Sequence, residues 1–234
     1  METIGKQINS NFYHDEIANA YHSTDDMSIF ADNINAYNPE FVIDAGCGQN
    51  IWKGKVNNLV GFDHSAYPNI DYQLNYEEYD KAHNPTNADF VFCLGSIHRG
   101  EQDKNPREEC LKNLEYVHKW LKPGGIAVMR VRCDVELAYK NKQTPERRFL
   151  HLWSMADIVE WQQRFGFRVV KPIEMRMVTL DSLSDSDLLD FEAKFDDPRQ
   201  QQIIQKEKSR RKAGEPVIVP SVLKAWYIWW WQKR

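Results

Sequence analysis

Phe41-Val42-Ile43-Asp44-Ala45-Gly46-Cys47-Gly48 begins with three apolar residues, meets an acid and breaks into a glycine-rich turn. A short apolar run bounded in this way reads as a buried strand handing over to a loop. Gly46 and Gly48 let the backbone turn sharply and let a ligand approach without a Cβ in the way. Outward from this stretch, Asn58 to Asp63 is a second apolar run ending in an acid, and Ile70 to Leu74 is a weaker third. Asp89 to Leu94 is a fourth, closed by Gly95-Ser96. Asn105-Pro106 then opens a helix with Leu111, Leu114, Val117 and Leu121 as its core stripe and Gly124-Gly125 as its stop. Ile126 to Val131 reads as a fifth strand, His151 to Phe165 as an amphipathic helix, and Phe167 to Val170 as a further strand.

Strands alternating with helices need crossover connections, which build a mainly parallel sheet. Strands that are apolar throughout expect helices on both faces. The fold class is therefore α/β, doubly wound. Residues 1–40 read as a helical extension, with Met27, Phe30, Ile34 and Tyr37 on one face and Pro39 as the stop. Beyond the alternation, Thr179 to Phe195 reads as a capped acidic helix and Arg199 to Lys212 as a polar, basic segment. Lys224 to Trp231 is the last apolar run. Residues 179–222 are thus an expected insertion between the last two strands of a single domain spanning 1–234.

Ligands of open α/β sheets sit beyond the carboxyl ends of the strands, where the strand order reverses. Asp63 follows Asp44 by nineteen residues and ends the second strand, where an acid accepts hydrogen bonds from ribose hydroxyls. A dinucleotide fingerprint would add a third glycine and a helix whose N-terminus meets the pyrophosphate. Ile51 stands at that glycine position, and only Gln49 to Asn57 separates the turn from the next strand. A nicotinamide-dependent oxidoreductase is disfavoured on both counts. A nucleoside ligand without pyrophosphate fits better, and Asp44 suits a cationic one.

From about Phe41 to Phe167 the sequence resembles the class I S-adenosylmethionine-dependent methyltransferases. The matching segments are VIDAGCG (42–48), LVGFD (59–63), ADFVFCLGSI (88–97), the helix and turn LKNLEYVHKWLKPGG (111–125), IAVMRV (126–131) and FGF (165–167). The resemblance implies a Rossmann-like sheet of seven strands with an antiparallel C-terminal strand, and S-adenosylmethionine as cofactor. It implies that Asp44, Gly46, Cys47 and Gly48 surround the methionine portion, that Asp63 holds the ribose and that Asn75 lies near the adenine. Leu94 and Gly95 would line the cofactor. The departures are the missing third glycine and the short first crossover.

Methyl transfer from a sulfonium needs an acceptor held in line, and a base only if the acceptor must lose a proton. His98, in the loop after the fourth strand, is the candidate base, set against a loop histidine that only fills space. Arg132 and Asp134 end the fifth strand on the same edge, either as substrate contacts or as a surface pair. The loop reads LGSI where amino-methylating nucleic-acid enzymes carry a D/N/S-P-P-Y/F motif, and no proline precedes Cys93 as in cytosine C5 enzymes. A small-molecule acceptor is preferred over nucleic acid. Two alternatives remain: a nucleic-acid or nucleotide methyltransferase using the basic segment 199–212, and a methyltransferase fold kept as a non-catalytic interaction module.

Bulk composition agrees. The 234 residues carry a net charge of -4, too acidic for a chain coated with nucleic-acid contacts. The four cysteines form no C-x-x-C pair, so no metal site is expected, and free thiols suit a reducing, cytoplasmic setting. The apolar stretch Ala225 to Trp231 is too short to span a bilayer, so no membrane association is expected. Trp229, Trp230 and Trp231 are expected in the core, on alternate faces of a strand.

Overall fold

The computed structural model describes residues 31–97, 105–134, 151–186, 188–189, 198–217 and 222–234. Seven strands form one sheet: β1 (Val42–Ala45), β2 (Leu59–Asp63), β3 (Tyr72–Gln73), β4 (Ala88–Leu94), β5 (Leu121–Arg132), β6 (Arg168–Thr179) and β7 (Val222–Gln232). Their order is β3-β2-β1-β4-β5-β7-β6. The first five strands pair in parallel, while β7 runs antiparallel to both β5 and β6. The doubly wound α/β reading, the seven strands and the antiparallel C-terminal strand are all present.

Alternate residues of the strands feed two cores. Ile43, Ala45, Val91, Cys93, Met129, Trp229 and Trp231 point to one face. There they meet α1 (Tyr76–His83), α2 (Pro106–Trp120) and α3 (Met155–Arg164) through Tyr79, Leu114, Trp120, Ile158 and Trp161. Val42, Phe90, Phe92, Ile126, Val128 and Trp230 point to the other, under Ala31 and Ile34 of a helix through 31–35 and under Trp52 and Val56. Coverage on both sides is why the central strands are apolar at every position. The three tryptophans pack in the two cores as their alternation predicts.

Three boundaries differ from the sequence reading. α2 ends at Trp120, not at Gly124-Gly125, because Leu121 is already extended and pairs with Ala88. Lys122 precedes a proline, which disfavours helix there. Lys233 Nζ takes up two orphan carbonyls of this helix end, donating to His118 O at 2.8 Å and Leu121 O at 2.7 Å. The Lys-Pro-Gly-Gly stretch instead forms an irregularity in β5, where pairing jumps from Ala88–Leu121 to Phe90–Ile126. Gly124 has φ +81°, and a Cβ on Gly125 would lie 2.7 Å from the Ala88 carbonyl oxygen.

β6 runs to Thr179, well past Val170. Pro172 and the charges around it hide the strand in the sequence, yet an edge strand tolerates a proline because its outer N–H groups have no partner. Register shifts between Val169 and Lys171 and between Lys171 and Glu174 absorb the misfit. The expected acidic helix from Thr179 does not start there: Thr179 ends β6, and Leu180–Ser182 is a single 3-10 turn. Helix resumes at 185–186 and 188–189, and 190–197 lie outside the described residues. The basic segment forms α4 (Pro198–Ala213), which buries Ile204 against Leu180 and Leu188.

Replacing Gly125 by Ala should destabilise the fold by about 1–3 kcal/mol, since the added methyl meets a backbone carbonyl that cannot swing aside. The urea midpoint measures this. An unchanged midpoint would mean that the β4–β5 irregularity is loose.

Candidate functional site

The strand order reverses between β1 and β4, so the crevice of the sheet opens beyond their C-terminal ends. The turn after β1 lies there. Gly46 and Gly48 have φ +70° and +54°, and Asn50 is also left-handed at +53°. The Gly46 and Cys47 N–H groups donate to the Phe62 carbonyl at 2.9 and 3.0 Å, which hooks the turn over β2. The Gly48 N–H donates to Asp63 Oδ2 at 3.0 Å. A Cβ on Gly46 would fall 2.4 Å from Ser96 Cβ, so the missing side chain makes room for the loop after β4.

Ser96 is held in turn. Its hydroxyl lies 2.8 Å from the Tyr76 phenol oxygen, and that phenol donates to the Ala45 carbonyl at 3.3 Å. Tyr76, from the first turn of α1, therefore ties the ends of β1 and β4 together. Neither Tyr76 nor Ser96 was legible as a site residue. An aromatic at the start of a helix reads as core, and only the fold brings its hydroxyl to the turn.

Two buried carboxylates set the electrostatics. Asp44 is 3% exposed and Asp63 is 6% exposed, at the ends of adjacent strands. Burial first, and the charge of Asp63 second, push the Asp44 carboxyl up to about 8. Asp63 is supported by its neighbours: Oδ1 accepts the Ser65 N–H at 2.9 Å and lies 3.1 Å from His64 Nδ1. Burial and the same two acids push the Cys47 thiol far up, so it is no nucleophile. Cys93, Cys110 and Cys133 are likewise free and buried. Among the described residues no cluster of metal-ligating side chains forms.

The connection from the turn to β2 contains no helix. Residues 49–58 proceed through turns, with Asn50 N–H donating to Cys47 O, Lys53 N–H to Asn50 O and Val56 N–H to Trp52 O. The Asn50 side chain occupies the space left open by Gly61, where a Cβ would come within 2.6 Å of its amide nitrogen. Its NH2 donates to Asn69 O at 2.8 Å, while its buried Oδ1 has no hydrogen-bond partner. Without a helix N-terminus beside the turn, this edge offers no dipole to a pyrophosphate.

Asn75 is the N-cap of α1, its side-chain oxygen accepting the Glu78 N–H at 2.9 Å. Leu94 and Gly95 are half-buried at the end of β4, and Gly95 donates its N–H to Arg130 O at 2.9 Å. His98 lies outside the described residues. Arg132 is buried at the end of β5, and exposed Asp134 accepts from Cys133 Sγ at 3.7 Å. Two basic residues of α4 are drawn into its own fold. Arg210 and Arg211 pair with Glu207, and Arg211 also reaches Asp185 and the Leu180 and Leu183 carbonyls.

No family model matches the chain, and no curated protein matches it. Solved structures do. The chain superposes on 1,6-didemethyltoxoflavin-N1-methyltransferase from Burkholderia thailandensis, crystallised with 1,6-didemethyltoxoflavin and S-adenosylhomocysteine, with TM-score 0.55 and 13% identity over 99% of this chain and 88% of that one. It superposes on an S-adenosylmethionine-dependent methyltransferase from Archaeoglobus fulgidus with TM-score 0.52 and 14% identity, over 94% of this chain and 100% of that one. The fold is that of the class I S-adenosylmethionine-dependent methyltransferases.

The raised Asp44 carboxyl has a measurable consequence. The unfolded chain releases this proton near the ordinary carboxylate value of 3.8, whereas the native chain keeps it to about 8. The native state then binds more protons across that window, so its stability falls as pH rises through it. Comparing Asp44→Asn with the parent by denaturation between pH 5 and 8 should show a shallower loss in the variant. Parallel curves would show that Asp44 ionises normally.

Proposed function

We propose that this chain is an S-adenosylmethionine-dependent methyltransferase acting on a small-molecule acceptor. The observation that carries the reading is the pair of buried acids, Asp44 and Asp63, at the crevice of a methyltransferase fold with no helix dipole beside them. A ligand cationic at one end would favour the ionised form of Asp44, and hydroxyl donors at its other end would suit Asp63. A sulfonium nucleoside with an amino-acid tail has that character, and a pyrophosphate has the opposite charge.

The residues fit such a cofactor. Asp44 would face its cationic end, with Gly46, Cys47 and Gly48 along the methionine portion. Asp63 has lone pairs left for ribose hydroxyls beyond the Gly48 and Ser65 N–H groups it accepts. Asn75 spends its side-chain oxygen on the helix cap, so its NH2 is the group available to an adenine. Leu94 and Gly95 would flank the ring system. When bound, the cofactor supplies an electrophilic methyl group. The chain's own task is to hold the acceptor in line with it and exclude water. His98 is the proposed base for an acceptor that must lose a proton.

A small acceptor is supported by α4, where Arg210 and Arg211 anchor the helix to Glu207, Asp185 and backbone carbonyls. Segments 1–40 and 179–222 are proposed as an N-terminal extension of, and an insertion into, one methyltransferase domain. No helix among the described residues is long and apolar enough to cross a membrane. The buried free thiols support a reducing, cytoplasmic setting.

Calorimetry should show binding of S-adenosylmethionine and none of NAD. At pH 7 binding should release a proton, because a cationic ligand favours the ionised form of Asp44. Buffers of different ionisation enthalpy detect it, and Asp44→Asn should reduce the release. Asp63→Asn should weaken binding by about 1–3 kcal/mol. Absence of binding at millimolar ligand would sink the reading in favour of a non-catalytic module. Transfer of labelled methyl into the small-molecule fraction of a lysate, and not into DNA, RNA or protein, would establish the acceptor class.

A further inference from the structure

Away from the crevice, toward the N-terminal ends of β1 and β4, the outer part of the sheet carries a cleft of about 490 Å³. Small-molecule sites usually measure about 300–1,000 Å³. Half-buried Phe41, just before β1, and Val60 of β2 give the cleft an apolar floor. Tyr72 of β3 and Tyr79 and His83 of α1 supply aromatic walls, and exposed Asn84 and Asn87 come from the connection to β4. Neither Asp44 nor Asp63 lines it. We infer that this cleft is a second binding site, for an uncharged planar heterocycle of the purine kind. The ring system stacks on Tyr72 and His83 and hydrogen-bonds to the Tyr79 phenol and the two asparagine amides. This site goes beyond the methyltransferase reading and does not depend on it.

The Tyr79 phenol is the group that calls for a ligand. Tyr79 is 2% exposed, and its ring is stacked on Phe62 at 4.2 Å, so the side chain is fixed in place. Its hydroxyl makes no hydrogen bond to any described residue, yet it is not sealed inside the protein. The opening beside it is the cleft, which Tyr79 lines. A tyrosine held this deeply ordinarily has a partner for its hydroxyl. Burial first, then Tyr72 and Asp71, push its ionisation far above the usual phenol range, so the hydroxyl keeps its proton and remains a donor.

The lining selects the ligand. The His83 ring lies 4.3 Å from Tyr72 and 4.8 Å from Tyr79, tilted by 46° and 40°. Tilted rings leave parts of their faces uncovered, and both Tyr72 and His83 are exposed. A flat ring system gains most from such faces. Asn84 closes α1 in the left-handed conformation and spends its backbone N–H on Asp80 O. The Asn84 and Asn87 side chains make no hydrogen bond to any described residue, and each amide offers donors and an acceptor to a heterocycle edge. No carboxylate or ammonium group lines the cleft. The charges around it pair with one another: Asp71 with Lys53, Asp80 with Lys119 and Asp89 with Lys122. A charged ligand would lose its hydration here and gain no counter-charge.

The test titrates 2-aminopurine, a neutral fluorescent base quenched by stacking, with the protein in the absence and presence of saturating S-adenosylhomocysteine. The expected result is saturable one-to-one quenching in both, reversed by adenine and untouched by benzoate. Tyr72→Ala and His83→Ala change exposed side chains, and each should weaken binding about tenfold or more. Tyr79→Phe keeps the ring on Phe62 and removes only the hydroxyl, so a fall of about threefold is expected. Should Tyr79→Phe fail to fold, the other two variants decide. No saturable quenching by the parent protein, or equal quenching by the folded variants, overturns the proposal. Quenching abolished by S-adenosylhomocysteine places the purine in the crevice and overturns it too. If S-adenosylhomocysteine does not bind, the variants still locate the purine, and only the methyltransferase reading falls.

Discussion

Asp44 and Asp63 end neighbouring parallel strands, and both carboxyls are buried in the crevice where the sheet reverses. Bringing two like charges out of water is unfavourable, and the surrounding chain is organised around that cost. Asp63 is surrounded by N–H donors from Gly48 and Ser65 and by the His64 ring. Asp44, in the denser place, holds its proton instead. The glycine turn is the geometry that supplies one of those donors, and its own N–H groups hook onto Phe62. Tyr76 and Ser96 then brace the turn from the β4 side.

The connection after the turn shows how a short chain solves the crossover without a helix. Parallel strands need a connection that climbs back across one face, usually helical. Here Trp52 and Val56 cover that face from a run of turns, and the Asn50 side chain nests against the bare backbone of Gly61. The substitution of turns for a helix changes what the crevice can bind. It removes the positive dipole end that suits phosphates and leaves two buried carboxyl groups at the crevice.

The acceptor half of the sheet has a different character. β7 lies between β5 and β6, and its tryptophans alternate into both cores. Toward the crevice the same strand face changes from Trp230 to Trp226, and β5 changes from Val128 to Arg130 and Arg132. A dry core therefore grades into a cationic, aromatic-walled margin within a few residues. In α4, Glu207, Asp185 and backbone carbonyls hold Arg210 and Arg211.

The sequence by itself determined the strand–turn unit at 41–48, the acid at 63, the parallel alternation and the inward packing of the C-terminal tryptophans. Each is a local signal: apolar period, glycine at a turn, an acid ending a strand. It missed the early end of α2, the length of β6 and the late helix after Thr179, because proline and charged residues blur periodicity where pairing across strands decides. Only the tertiary structure decided that Tyr76 and Ser96 brace the turn, that Asn50 fills the space over Gly61 and that Arg130 and Arg132 meet Trp226. Those contacts join residues far apart in the chain, and a local pattern carries no record of which strands become neighbours. Local chemistry chose the turn. The order of the strands chose what surrounds it.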